Sequence, residues 1–414
     1  MTQGPDPAKR LLDVGEARRL MLAGIRVLGS EQVPLEAAMG RVLAQPVVAT
    51  RDQPPFAASA MDGYAVRSAD TPGFLTVIGE SAAGHGFAGR CEAGTAVRIS
   101  TGAALPDGAD SIVIQEDVRR EDNRIEVPQV APGHFIRRQG IDFAAGTTLL
   151  EKARVLDAVA ISLGAASGAA ALPVARRPGV AILSSGDELA APGVAPGPWQ
   201  IFDSATYGLA GLIASWGGEA RRLAVAKDDV AAIARAAEEA LADSDLLLLI
   251  GGASVGDHDH ARPALMRLGL EMKVGKVAVR PGKPTWFGHT RHGPVLGLPG
   301  NPASAMVCAH LFLKPLLLAM QGRDPEPRFV RAHLARALPA NGGREHYLRS
   351  ALTPDDQGRL TVRAFEDQDS SLISIFAAAN ALIRLAPDAP AQEKGALVDV
   401  LPLFDVLRMG DGPC

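Results

Sequence analysis

The sequence predicts a multidomain protein of α/β plus β class, and three observations carry that prediction. Residues 178–326 alternate buried apolar strands with helices, the pattern of a doubly wound, mostly parallel layer. Residues 66–138 hold short alternating runs between glycine turns, a β-rich domain inserted into a helical N-terminal domain. Beyond Gly322-Arg323-Asp324-Pro325, five further short runs read as a small C-terminal β-barrel or sandwich. The expected division is 1–52 with 139–177, then 53–138, 178–326 and 327–414.

Composition excludes several classes of protein. At 414 residues the chain is long enough for several cores, which must be built from Ala, Val, Leu and Ile because aromatics are only 4%. The 42 basic residues are outnumbered by 46 acidic ones, so a general nucleic-acid binder is not expected. Cys91, Cys308 and Cys414 form no CxxC pair, which indicates neither a disulfide framework nor a zinc site. Met1-Thr2-Gln3-Gly4-Pro5-Asp6 lacks a signal-peptide core, and the apolar run Leu311 to Met320 is broken by Lys314 and Pro315. A cytoplasmic protein without membrane contact is the expectation.

In order, helical spacing from Val14 to Leu28 predicts a first helix, and a second is expected near Leu35 to Leu43. Pro54-Pro55 marks an extended entry to a new domain, followed by the turn Asp62-Gly63. Phe74 to Ile78, Ala96 to Ile99 and Ser111 to Ile114 are strands, and Ser100-Thr101-Gly102 sets a hydroxyl beside a glycine. Residues 143–172 look helical again, with Leu149, Val155, Leu156, Ile161 and Leu163 on one face. Val180 to Leu183 begins the α/β layer; Asp203 caps a helix to Trp216, and Gly217-Gly218 stops it. A strand at Arg221 to Val225 and a helix from Asp228-Asp229 to Leu241 lead to the aliphatic strand 245–250. A helix over Ala264 to Leu268, an extended stretch from Met272 to Val279 and strands at Thr285 to Gly288 and Val295 to Leu298 follow. Pro299-Gly300-Asn301-Pro302 then opens a helix to Met320, with Asn301 at the cap and Pro302 at the first turn.

Loops at the carboxyl edge of a parallel sheet converge, and ligands bind there. Gly186-Asp187-Glu188, Gly251-Gly252-Ala253-Ser254-Val255-Gly256-Asp257-His258-Asp259, Pro281-Gly282-Lys283 and Pro299 to Pro302 are all expected at that edge. Together they offer carboxylates (Glu188, Asp257, Asp259), cations (Lys276, Arg280, Lys283), glycine N–H groups and a helix N-terminus. A phosphorylated ligand with a divalent cation needs such a set.

Ser59-Ala60-Met61-Asp62-Gly63-Tyr64-Ala65, Ser185-Gly186-Asp187-Glu188-Leu189, Gly251 to Asp257, Pro281-Gly282-Lys283-Pro284 and Gly297 to Pro302 closely resemble the molybdopterin molybdenumtransferase family. This is the MoeA group, which includes the gephyrin E domain. The resemblance implies an elongated four-domain subunit with a MogA-like α/β domain, assembled as a homodimer. It implies the reaction of adenylylated molybdopterin with molybdate to give molybdenum cofactor and AMP, assisted by Mg²⁺. It also implies partners: an upstream adenylyltransferase and recipient molybdoenzymes. Carried over by motif, Asp62, Thr101, Glu188, Asp228 and Asp259 are the catalytic candidates, with Glu188 and Asp259 on the metal, and Asp142 falls where the family has an acid. Gly251, Gly252, Ser254, Gly256, Lys276, Arg280, Lys283, Pro299, Gly300, Asn301 and Pro302 are the substrate-binding candidates. Ala57, Ala58, Ala205 and Arg280 depart from the family's usual residues. A non-catalytic molybdopterin-binding scaffold of the same fold is the alternative reading. A Rossmann dehydrogenase fails, since no GxGxxG follows the strand at Val180.

Overall fold

The computed structural model describes residues 10–226, 229–251 and 260–404. They form two compact units, residues 32–174 and the remainder.

In the larger unit, Leu246–Ile250 is buried along its whole length, as its aliphatic run requires. It lies between Gly179–Ser184 and Gly293–Leu298, parallel to both, with Ser184, Ile250 and Leu298 in register at one edge. Glu219–Arg222 extends the sheet in parallel, whereas Trp286–Thr290 and Glu271–Val274 close the other side antiparallel. The layer is therefore mostly parallel with an antiparallel margin. Helices Ala205–Ser215, Val230–Ala242 and Ala261–Met266 and the long helix from Pro302 supply the covering layers. Asp203 fixes the start of the first of these, its carboxylate accepting from the Thr206 N–H (3.2 Å) and hydroxyl (2.5 Å). Asp229 caps the second through the Ala232 N–H.

The long helix runs as Pro302–Cys308, a π-helical turn Ala309–Leu313 and Lys314–Met320. Pro315 has no N–H for the Leu311 carbonyl, and the widened turn before it avoids that clash. Pro302–Met320 is long and apolar enough to cross a bilayer, but 89% of its most apolar window is buried in the unit's core. His310 in the π turn is buried against Trp216, and burial pushes its pKa down to about 3. The native imidazole is therefore neutral, while the unfolded chain takes up a proton below its ordinary value of 6.5. Stability present above that value is lost as the pH falls through this window. Across about pH 7 to pH 4, the wild-type melting temperature should fall more steeply than that of His310→Leu; parallel curves would remove His310 from the acid response.

The five C-terminal strands close into a ring: Glu345–Pro354, Leu360–Ala364, Val330–Leu334, Leu397–Pro402 and Ala381–Leu385, the last pairing back with the first. The barrel, rather than a sandwich, is what forms. A short strand of the α/β region, Val279–Arg280, adds to its Glu345–Pro354 strand in parallel.

The smaller unit holds a six-stranded sheet built on Gly63–Val66, which pairs with Thr95–Ile99 and Ser111–Ile114. The remainder of the unit is less helical than expected. Residues 143–172 give a strand Thr148–Leu150, a helix limited to Ala158–Ala166, and the start of a strand Ala171–Ala175. Asp157 caps that helix through the Ala160 N–H, and Gly168 (φ +90°) ends it. The helix expected near Leu35 to Leu43 is one 3₁₀ turn, Leu35–Ala37, stopped by Gly40 (φ +72°).

The first helix is Val14–Leu22, shorter than expected. It ends at Ala23, and Gly24 passes close to the His289 ring, where a Cβ would lie 2.9 Å from Nε2. Its buried residues Val14, Ala17 and Met21 pack into the α/β core, and Leu11–Leu12 pairs with Lys276–Val277.

Candidate functional site

Three loops meet at the carboxyl edge of the parallel strands. A Cβ on Gly251 would lie 2.9 Å from the Ser185 carbonyl, and one on Gly300 3.6 Å from the Gly251 Cα. Gly251 has φ +84°, a conformation that favours glycine. At Gly251 a side chain would force the first two loops apart. Glu188 sits on the first loop, exposed, with its carboxylate folded back over Gly186, where a Cβ would come within 2.6 Å of Oε2. The Ser184 hydroxyl, buried at the same edge, makes no hydrogen bond.

The helix opening at Pro302 begins beside this edge. Asn301 occupies the cap position, yet its side chain makes no cap hydrogen bond. Its Nδ2 donates instead to Ser370 Oγ at 2.8 Å, across to the barrel segment 366–372. The first-turn N–H groups thus remain available to an anion.

Lys276, Arg280 and Lys283 form a second group. The Val277 N–H donates to the Lys283 carbonyl (3.1 Å), which brings the two lysine backbones together. The loop Pro281 to Lys283 follows a strand of the barrel sheet rather than of the α/β sheet, because Arg280 pairs with His346. A Cβ on Gly282 would lie 2.2 Å from Cys308 Sγ, so the loop rests directly on the long helix. Burial pushes that thiol up to about 12, an inert packing group.

The barrel strand brings further charge that the sequence pattern hid. His346 is held down to about 4, first by burial, then by the guanidinium groups of Arg280, Arg344 and Arg349. Arg349 is 1% exposed; Nε donates to Gln368 Oε1, Nη1 to the Leu372 carbonyl, and Nη2 has no partner. A buried, incompletely bonded guanidinium is costly unless an anion completes it. Gln368 and Leu372 flank Ser370, the partner of Asn301, so one barrel segment joins the arginine to the helix N-terminus.

In the smaller unit, Asp62 Oδ1 accepts from the Thr101 N–H (2.6 Å) and hydroxyl (2.9 Å). Those two bonds hold its carboxyl below the usual range, so the group is ionised and exposed. Ala58, one of the departures, is buried in the strand Ala58–Ser59. Ala205 is likewise buried, at the start of its helix. Asp228, Gly252, Ser254, Gly256, Asp257 and Asp259 lie outside the described residues.

Residues 12–168 match the family model of the MoeA N-terminal region (domains I and II), 181–319 that of the probable molybdopterin binding domain, and 331–403 that of the MoeA C-terminal region (domain IV). A crystal structure of the molybdopterin biosynthesis MoeA protein of Pyrococcus horikoshii superposes with TM-score 0.85 at 31% identity, covering 95% of this chain and 100% of that one. The molybdopterin molybdenumtransferase of Haemophilus influenzae is 33% identical over 96% of this chain and 100% of its own. The chain belongs to the molybdopterin molybdenumtransferase family. Another member, from Nostoc sp., is 39% identical over 78% of this chain and 77% of its own. What the family motifs left unseen are Arg344, His346, Arg349 and Ser370. A charged residue at a buried strand position, as at Arg349, was the one signal in the sequence that pointed to them.

Proposed function

We propose that the chain works in molybdenum cofactor biosynthesis as a molybdopterin molybdenumtransferase, joining molybdate to adenylylated molybdopterin with release of AMP. The observation that best supports this reading is the buried Arg349 guanidinium, whose Nη2 lacks a partner, joined through the 366–372 segment to an open helix N-terminus. Both co-substrates are anions, and fixed cations hold two anions together against their repulsion. Lys276, Arg280 and Lys283 take the pterin phosphate and the metal oxide in this reading.

Mg²⁺ suits the acids at hand. It accepts one or two carboxylates and completes its shell with waters and phosphate oxygens. Glu188 is exposed at the sheet edge, open to such an ion. Glu188 with Asp259 would hold the ion, which neutralises the phosphoanhydride when bound. Incubation with adenylylated molybdopterin and molybdate should release AMP and stop on addition of chelator. Tight binding of the pterin with no AMP would favour the scaffold reading, and full activity in chelator would remove the metal.

The homodimer belongs to the same proposal, with Asp62 and Thr101 of one subunit serving the groove of the other. Trp199, 90% exposed, stands with the exposed Ile201, Phe202 and Tyr207 in one stretch, apolar surface of the kind a second copy covers. Further elements are the elongated four-domain subunit with its MogA-like layer, a cytoplasmic location, and the adenylyltransferase and molybdoenzymes on either side of the reaction. Lys283 is exposed, so Lys283→Ala should leave the melting temperature unchanged. Losing one charge-assisted bond should weaken adenylylated-pterin binding about 10- to 150-fold by calorimetry; unaltered affinity would take Lys283 out of the site.

A further inference from the structure

Four non-glycine residues among those described have positive φ: Asp122, Phe135, Ala153 and Asp388. Aspartate tolerates the left-handed region because its short side chain bonds locally, whereas a bulky aromatic there is strained. Phe135 sits at φ +52° all the same. Core packing does not explain it, since Phe135 is 37% exposed and belongs to none of the unit's apolar clusters.

The backbone around it is fixed from both sides. The Phe135 carbonyl accepts from the Ala60 N–H (2.8 Å), and the His134 carbonyl from the Ile112 N–H (3.0 Å). Ile136 and Arg137 pair with Ser59 and Ala58. The ring leans on the His134 imidazole, with centroids 4.0 Å apart and planes at 56°. Ala60 stands two residues before Asp62, and Phe56 and Met61 on the same passage are also exposed. Strain held by surrounding structure at an exposed site is a mark of function.

We propose that Phe135, its carbonyl bonded to the passage that carries Asp62, is the aromatic platform on which a flat ring of the substrate stacks. The proposal rests on the transferase reading, in which Asp62 faces adenylylated molybdopterin. That substrate carries two flat rings, a pterin and an adenine, and either presents the π face that such a platform takes.

The test is calorimetric titration with adenylylated molybdopterin, molybdopterin alone and AMP alone. Asn suits the left-handed backbone, so Phe135→Asn trades relieved strain for lost packing and should melt within a few degrees of wild type. Its affinity should fall about 5- to 150-fold for whichever single ligand carries the stacked ring, and for the full substrate. Phe135→Tyr should bind within about twofold of wild type, because it keeps the ring face. Phe135→Leu, which keeps the bulk and loses the π face, should bind like the Asn variant and reads the same effect if the latter folds poorly. Wild-type affinity in the Asn and Leu variants for all three ligands overturns the platform while leaving the transferase reading intact. A wild-type protein that binds none of the three overturns both.

Discussion

Asp62→Asn is expected to release AMP at least about 100-fold more slowly than wild type while melting at the same temperature. The amide oxygen of Asn still accepts from the Thr101 N–H and hydroxyl, so the turn is kept and only the charge is lost. The adenylylated pterin should still bind, because the groups proposed to hold its phosphate lie on the other unit. The same variant reports on subunit sharing. Mixed with Asp259→Ala chains, it should regain part of the activity in hybrid dimers, where one site keeps both acids. Hybrids confirmed by mass that stay inactive would sink the shared site, and near-normal turnover by Asp62→Asn alone would sink its role.

One residue further on, the expected outcome is a folding defect. Gly63→Ala places a Cβ 2.0 Å from the Val113 carbonyl oxygen and 2.9 Å from its carbon. Both neighbours of Gly63 are ladder backbone, since it pairs with Ile99 on one side and Ile114 on the other. No side chain can rotate away, so the strands must part. A cost of roughly 3 kcal/mol, at the upper end for overpacking, should appear in denaturant unfolding. Hydrogen exchange should rise within residues 32–174 and not in the α/β sheet. A variant as stable as wild type would show that the two ladders can give way at low cost.

Adjacent positions thus fail for different reasons, and only one of the reasons is visible in the sequence. The Asp62-Gly63 pair reads as a turn, but only Asp62 lies at a bend: Gly63 opens the strand Gly63–Val66 and is paired on both sides, so its need for glycine comes from distant ladder partners. The Leu246–Ile250 strand and the opening of the long helix at Asn301-Pro302 were legible, because a run of one residue class or a cap pair suffices. Residues 143–172 were misread because Leu149 to Leu163 keep helical spacing, while Thr148–Leu150 is claimed as a strand by Val47–Val48, about a hundred residues earlier. The charge that the barrel strand brings was hidden for a similar reason. Arg280 meets His346 only through a ladder between two domains of the sequence reading, and a window of local pattern contains neither partner.

The interruption of the larger unit by the smaller one bears on how the chain is made. Val14–Leu22 packs against the long helix and the strand Glu271–Val274, both synthesised after the whole of residues 32–174. The entry and exit of that excursion are tied, with the Arg176 N–H donating to the Gly29 carbonyl at 2.8 Å. On a ribosome delivering the chain from its N-terminus, the excursion can complete its own sheets while this helix still waits for a partner. Closing the gap between distant segments costs only slowly more as the loop lengthens, and a loop that has already folded is stiffer and shorter in reach. The vectorial order of synthesis therefore favours the smaller unit as the first to assemble, with the apolar face of the leading helix exposed to chaperones in the interval.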